Sequence, residues 1–237
     1  MTQSIAKTYS RLNVFLATTA TTLVGMLATT GAANAASITH TQTIEWRPTT
    51  VDKSFILPKF DEALGTLESV TIDLIGFVKG NARAESQEGA PSTVTLDLAS
   101  KIALILSEPD ITLVEVKPLV SEQVGLSSYD GVLDFAGSSG VTLPERTASD
   151  STSNTFMSGD SELSYFLGSG DQDFIFKALG TSTVTGAGNL LSGFQTQVAG
   201  EVTLTYDYQS VPEPTSVIAL GLVGLGLLTQ TKRTRKS

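Results

Sequence analysis

Apolar and polar side chains alternate along most of the middle of the chain. Between Thr93 and Leu106 the even positions are apolar except for Ser100, and most of the odd ones are polar or small. The same period recurs in three further segments, residues 38–46, 70–74 and 201–208. A period of two turns one face of an extended strand toward a core and the other toward solvent. The pattern therefore predicts β-strands, and no helical period separates them.

Shorter segments continue the pattern, and turn-forming residues lie between them. We expect strands near residues 54–57, 111–116, 132–135, 147–157, 174–179 and 181–185, and a short helix or loop at 59–64. Gly, Pro, Asn and Asp predict turns at 80–81, 89–91, 108–110, 130–131, 137–140, 168–170 and 186–188. A phase shift after Ile75 predicts a bulge at Gly76. The fold class expected is all-β, an antiparallel β-sandwich of jelly-roll-like or immunoglobulin-like form.

Composition excludes several kinds of chemistry. The chain has no cysteine and one histidine, His40, so a thiol nucleophile, a disulfide framework and a multi-histidine metal cluster are ruled out. The net charge is −9, and six of the 15 basic residues lie in the two ends. The middle is therefore more acidic than the whole chain, and we expect no nucleic-acid partner.

Both ends have the composition of targeting segments. Lys7 and Arg11 precede an uncharged run, and Ala33-Asn34-Ala35 has the small-x-small pattern of a signal-peptidase site. This order predicts a secretory signal peptide over 1–35, cleaved after Ala35 and delivered to the Sec translocon. Residues 36–210 would form the surface domain, and 211–237 a separate C-terminal segment.

The C-terminal segment predicts one transmembrane helix with the body of the protein outside the cytoplasm. Residues 214–231 carry no charge, and at ~1.5 Å per residue a helix of that length just spans a thin bilayer. The basic residues that follow would stay on the cytoplasmic side as a membrane stop. They are Lys232, Arg233, Arg235 and Lys236.

Pro212-Glu213-Pro214, an apolar helix over Ser216–Leu228 and a basic tail together resemble the PEP-CTERM sorting signal of bacteria. The resemblance implies recognition and cleavage by an exosortase-type membrane enzyme, and delivery to the cell surface or the extracellular matrix. Three segments of the body, 38–44, 57–72 and 129–135, resemble the choice-of-anchor E domain. That resemblance implies an exported surface module and adds no catalytic residue.

No sequence motif identifies an enzyme, a cofactor or a nucleotide site. His40 is expected to be a partly buried structural residue on the face of Ile44 and Trp46, since no nucleophile motif accompanies it. The leading interpretation is that the chain is a non-enzymatic exported protein without a cofactor.

Three alternatives remain. Asp171 and Asp173 in a Gly-rich loop, with further acidic turns at Asp160-x-Glu162 and at Asp130 and Asp134, could bind calcium. A carbohydrate-binding adhesion module could contact extracellular polysaccharide, and the aromatic residues that could stack on sugars are Trp46, Tyr129, Tyr165, Tyr206 and Tyr208. A polysaccharide hydrolase would require two carboxylates across a cleft.

Overall fold

A computed structural model describes residues 22–25 and 35–211 of the 237-residue chain. Within those residues the fold is all-β, with two short 3-10 helices at Glu62–Leu64 and Ser161–Phe166. The strands are β1 (Thr22–Gly25), β2 (Ala35–Pro48), β3 (Val51–Pro58), β4 (Gly65–Ser86), β5 (Ser92–Leu106), β6 (Ile111–Val116), β7 (Leu119–Leu126), β8 (Gly140–Met157), β9 (Asp171–Gly180), β10 (Thr183–Thr185) and β11 (Leu190–Ser210).

The strands form two antiparallel sheets that enclose a common core. The first sheet has the order β1-β2-β11-β4-β8, and the second has the order β10-β5-β9-β3 with β6 and β7 also paired to β5. The chain passes from the first sheet to the second directly after β2, at residues 49–50. The all-β prediction with antiparallel sheets is confirmed, and the arrangement is sandwich-like.

The longest strands, β4 and β11, pair over almost their whole length and span the molecule from end to end. Inward positions of β4 stay on the even residues from Val70 to Ala84 without a phase shift. The predicted bulge at Gly76 is therefore wrong. Gly76 faces inward where the sheets approach closely, because a Cβ atom there would lie 2.6 Å from Val116 Cγ2 and 2.9 Å from Ile102 Cδ1.

Two hydrophobic clusters lie between the sheets at different points along these strands. The main core contains most of the buried aromatic side chains and large aliphatic ones from both sheets, among them Phe166, Phe174, Phe176, Leu104 and Tyr206. The small core, at the opposite ends of β4 and β11, consists of Ala82, Ala84, Val94, Leu96 and Leu126. We call the parts around them the junction half and the distal half, because the chain enters β2 and leaves β11 beside the main core.

Four local predictions differ from the structure. Gly80 and Asn81 lie inside β4 rather than in a turn, and residues 132–135 belong to the loop 127–139 rather than to a strand. Leu119–Leu126 forms β7, which the sequence did not predict, because Gly125 and several polar residues weaken its alternation. The predicted bulge in β4 is replaced by one against β8, between Gly80 and Ala82.

Candidate functional site

The two ends of the described body lie next to each other. Ala35 is the first residue of β2 and pairs with Gln209 of β11. Strand β11 ends at Ser210, and Val211 is the last residue that the structure describes. Thr22–Gly25, inside the predicted signal peptide, pairs with Ser37–His40 as β1. Both predicted junctions of the body with its targeting segments are thus neighbours in one sheet.

The C-terminal sorting residues lie outside the described part of the chain. These are the motif Pro212, Glu213 and Pro214, the helix Ser216–Leu228, and the tail Lys232, Arg233, Arg235 and Lys236; Ala33 of the signal-cleavage site also lies outside it. Over residues 22–25 and 35–211 no helix has the length and apolarity needed to cross a bilayer. The sorting motif, the membrane stop and the membrane helix stay predictions.

The two carboxylates proposed for calcium, Asp171 and Asp173, begin strand β9 rather than lying in the glycine-rich loop before it. They alternate along the strand on one face, opposite Pro58 and Ile56 of β3, and both are exposed. In the part of the chain described, no group of three or more His, Asp or Glu side chains could hold a metal ion. Calcium prefers six to eight oxygen ligands, so these two residues supply a minor share of a site.

The other acidic turns use their carboxylates to hold the backbone. Asp130 Oδ1 accepts the amide of Val132 at 2.9 Å, and Asp134 Oδ1 accepts the amide of Ala136 at the same distance. Asp160 Oδ2 accepts the amide of Met157 at 2.8 Å. These are side-chain bonds typical of turns, and they occupy oxygens that a cation would otherwise bind.

His40 is a buried residue of the first sheet, with 8% of its surface exposed. Its ring meets the ring of Tyr206 edge to face, with centroids 5.9 Å apart. Burial lowers the pKa of His40, so its imidazole is neutral at pH 7. His40 shares the inward face with Ile44, but Trp46 does not, because a bulge opposite Val198–Gly200 changes the phase of β2.

The aromatic residues proposed for sugar stacking do not form one surface. Tyr206 and Tyr208 are buried in the main core. The Tyr206 hydroxyl donates to the Pro58 carbonyl at 2.8 Å, and burial raises the pKa of Tyr206. Tyr165 packs against the same core. Trp46 instead lies beside Phe77, with ring centroids 6.3 Å apart, on the outer face of the first sheet. Tyr129 lies in the loop 127–139, where its amide donates to the Glu88 carbonyl at 2.8 Å. The predicted stacking platform is therefore wrong as a group.

The outer face of the first sheet carries a groove that the sequence did not predict. We define the outer groove by Lys79, Asn81 and Arg83 of β4 with Gln195 and Gln197 of β11. It adjoins two cavities of about 570 Å³ and 400 Å³ that share Asn81, Phe194 and Gln195. The larger cavity is also lined by Thr49, Gly180 and Ser182, so it extends past the edge of β11 toward the second sheet. The odd positions of β4 face outward here, so alternation alone would have placed these residues together had Gly80-Asn81 not been interpreted as a turn.

Two basic side chains of the outer groove lie over aromatic rings. Lys79 Nζ is 4.6 Å from the centroid of the Trp46 ring, and Arg83 Cζ is 4.4 Å from that of Phe135. Within residues 35–211 the ion pairs to carboxylates involve Lys101, Lys117 and Arg146 instead. A ring holds a cation in place without neutralising its charge, so both cations remain able to bind a ligand.

Acidic side chains flank the two cations. Glu145 lines the larger cavity, beside the β4–β8 bulge, and Asp134 lines the smaller one. Asn81 Nδ2 donates to Gln195 Oε1 at 3.3 Å across the floor between them. Gly193 faces Arg83, and a Cβ atom there would lie 2.9 Å from Arg83 Nε. The absence of a side chain at Gly193 therefore leaves room for the Arg83 side chain. The groove combines two cations, two carboxylates and exposed amides.

A buried carboxylate near the groove has a structural role. Glu85 is fully buried, accepts the Phe135 amide at 2.8 Å, and accepts the Ser139 hydroxyl at 2.6 Å. These bonds hold the loop 127–139, and with it the ring that lies under Arg83. Sequence patterns gave no signal for this role, because a carboxylate at a strand end is ordinarily exposed.

No family model matches the chain, and no curated protein matches it. Among solved structures, a chain of infectious bursal disease virus, Gx strain, aligns at 12% identity with a TM-score of 0.20, over 81% of this chain and 43% of that one. The VP2 subviral particle of the same virus aligns at 12% identity with a TM-score of 0.16, over 83% and 50%. The chain spans half or less of the length of these structures.

Proposed function

We propose that the protein is an exported, non-enzymatic module of the cell surface or extracellular matrix, with a β-sandwich body sorted by an exosortase-type enzyme. The observation that carries the proposal is the order Pro212-Glu213-Pro214, apolar segment, basic tail, which begins two residues after β11 ends at Ser210. The resemblance of that order to the PEP-CTERM signal supplies the processing step.

The placement of the two junctions supports the proposal. Because Ala35 and Gln209 are paired, a membrane helix that follows β11 would hold the junction half at the bilayer. The 21 residues of β11 rise ~3.3 Å each, so the far end of the distal half would stand up to roughly 70 Å from the junction. Such a body presents its distal loops and outer groove away from the membrane.

The roles of the acidic residues support a non-enzymatic function. Asp130, Asp134 and Asp160 hold turns, and Glu85 anchors the loop 127–139. The sole histidine packs against Tyr206 inside the first sheet. These groups serve the fold, which is what a presented module requires of them.

The intact mass of the protein isolated from its producing bacterium tests the proposal. We expect a mature chain that begins near Ala36 and ends near Pro214. Replacing Glu213 by Gln, or Pro212 and Pro214 by Ala, should leave the C-terminal segment attached. Glu201→Gln is the matched control, because Glu201 is an exposed carboxylate of β11. Retention of 232–237 in the wild-type protein would contradict the sorting step.

A further inference from the structure

The outer groove has the size of a ligand site but a polar lining. Small-molecule sites typically measure ~300–1,000 Å³, and both cavities fall in that range. Most such sites are lined by apolar side chains, whereas here Lys79, Asn81, Gln195 and Gln197 provide donors and acceptors. A polar lining on an open sheet face favours a ligand that is itself rich in hydrogen-bonding groups.

The charges of the groove balance, which argues against a polyanion. Lys79 and Glu145 line the larger cavity, and Arg83 and Asp134 line the smaller one. A dense polyanion would meet these carboxylates and the negative charge of the whole protein, which is −9. A neutral ligand meets neither penalty.

Hydroxyl groups suit this mixture of side chains, because a hydroxyl both donates and accepts a hydrogen bond. The exposed amides of Asn81 and Gln195 offer both functions, Glu145 accepts, and Lys79 donates. Trp46 lines neither cavity; its ring lies under Lys79 Nζ at 4.6 Å and so holds this donor in place. From Lys79 to Arg83, the four residue-to-residue steps of β4 provide an extent of about 13 Å.

We propose that the outer groove binds a neutral polysaccharide, with the amides of Asn81 and Gln195 at its centre and Lys79 and Arg83 toward its two ends. The proposal goes beyond export and sorting and stands whether or not the C-terminal segment is processed. It makes the distal half the part of the molecule that meets a polymer, and the junction half the part that carries it.

The test uses the full-length chain in a mild detergent on a glycan array, followed by calorimetric titration with the neutral oligosaccharide that binds best. We expect binding to neutral glycans that changes little with salt, since no net ion pairing is involved. Replacing both Asn81 and Gln195 by Ala should weaken binding about tenfold or more, because the sugar hydroxyls bound by these two amides lose their hydrogen-bond partners. Trp46→Ala should weaken it by a smaller factor, because it removes the ring that holds Lys79 in place.

The control replaces Gln123 and Gln209 by Ala, two exposed amides on strands β7 and β11 outside the groove. This variant should bind as the wild type does. Thermal unfolding of each variant separates a lost contact from a lost fold. Binding confined to uronate polymers or to oligodeoxythymidylate, a steep salt dependence, no neutral glycan bound, or equal losses in the control and the groove variant would each overturn the proposal.

Discussion

Around the junction half, β4 and β11 cover closely packed aromatic and large aliphatic side chains; at their distal ends the same two strands cover alanine, valine and two leucines. Phe174, for example, stacks on Phe55 at 5.5 Å and lies 6.5 Å from Phe166. No pair of aromatic rings of this kind occurs in the small core as defined above. Strand pairing is continuous through both halves, so the difference is in what fills the space between the sheets.

The distal half replaces apolar volume by hydrogen bonds. Besides Glu85, the buried polar residues there include Ser86 and Ser139, and the Ser86 amide donates to the Ser139 carbonyl at 2.9 Å. Such networks hold only if every member is satisfied. The comparison suggests that the junction half resists unfolding through packing, while the distal half depends on a loop fixed by one carboxylate.

Matched leucines of one strand provide the most direct way to break this comparison. Leu104 lies in the main core and Leu96 in the small core, both on the inward face of β5 and both nearly fully buried. Replacement by Ala should lower the free energy of unfolding by about 4–5 kcal/mol at Leu104 and about 2–3 kcal/mol at Leu96, because the cost depends on how far the site can collapse.

Chemical denaturation of the two variants measures both values. The strand, residue type and burial are held constant, so each leucine is the control for the other. Equal losses at the two positions would show that the small core is packed as rigidly as the main one.

The buried carboxylate provides a second, smaller effect. Glu85→Gln exchanges one oxygen for an amide group that cannot accept both the Phe135 amide and the Ser139 hydroxyl. We expect a loss of about 1–3 kcal/mol, with faster amide hydrogen exchange at Phe135. Glu62→Gln, at an exposed position of a 3-10 helix, should change neither quantity. Unchanged exchange at Phe135 in the Glu85 variant would contradict the anchoring role.

The sequence predicted the junction half better than the distal half, for a physical reason. In β5, β6 and the C-terminal part of β11 alternation follows burial closely, because large apolar side chains occupy the inward positions. In the distal part of β4 the inward positions are Gly80, Ala82 and Ala84, which are too small to make the alternation visible. Gly80-Asn81 was therefore predicted as a turn, and the outward residues of the groove on either side of it were not recognised as one face of a strand.

Two other differences come from contacts that a single strand does not encode. The bulge that turns Trp46 outward depends on the partner strand near Ala199, so no pattern within 38–46 reveals it. The false bulge at Gly76 arose because Ile75 and Phe77 are apolar residues on the outer face, Ile75 with 37% of its surface exposed. Burial of Glu85 required a loop some 50 residues later in the chain.

Titration of His40 gives the smallest expected effect and sharpens the comparison from the junction side. Burial holds the pKa of His40 below its ordinary 6.5, so between those two pKa values the unfolded chain binds a proton that the folded one does not. The free energy of unfolding should therefore fall as pH drops below about 7. In His40→Gln that contribution is absent, and the carboxylates titrate alike in both proteins. Subtracting the two profiles of unfolding free energy against pH isolates the histidine: a difference that shrinks toward acid pH fits a neutral imidazole beside Tyr206, whereas a constant difference would place His40 in contact with solvent.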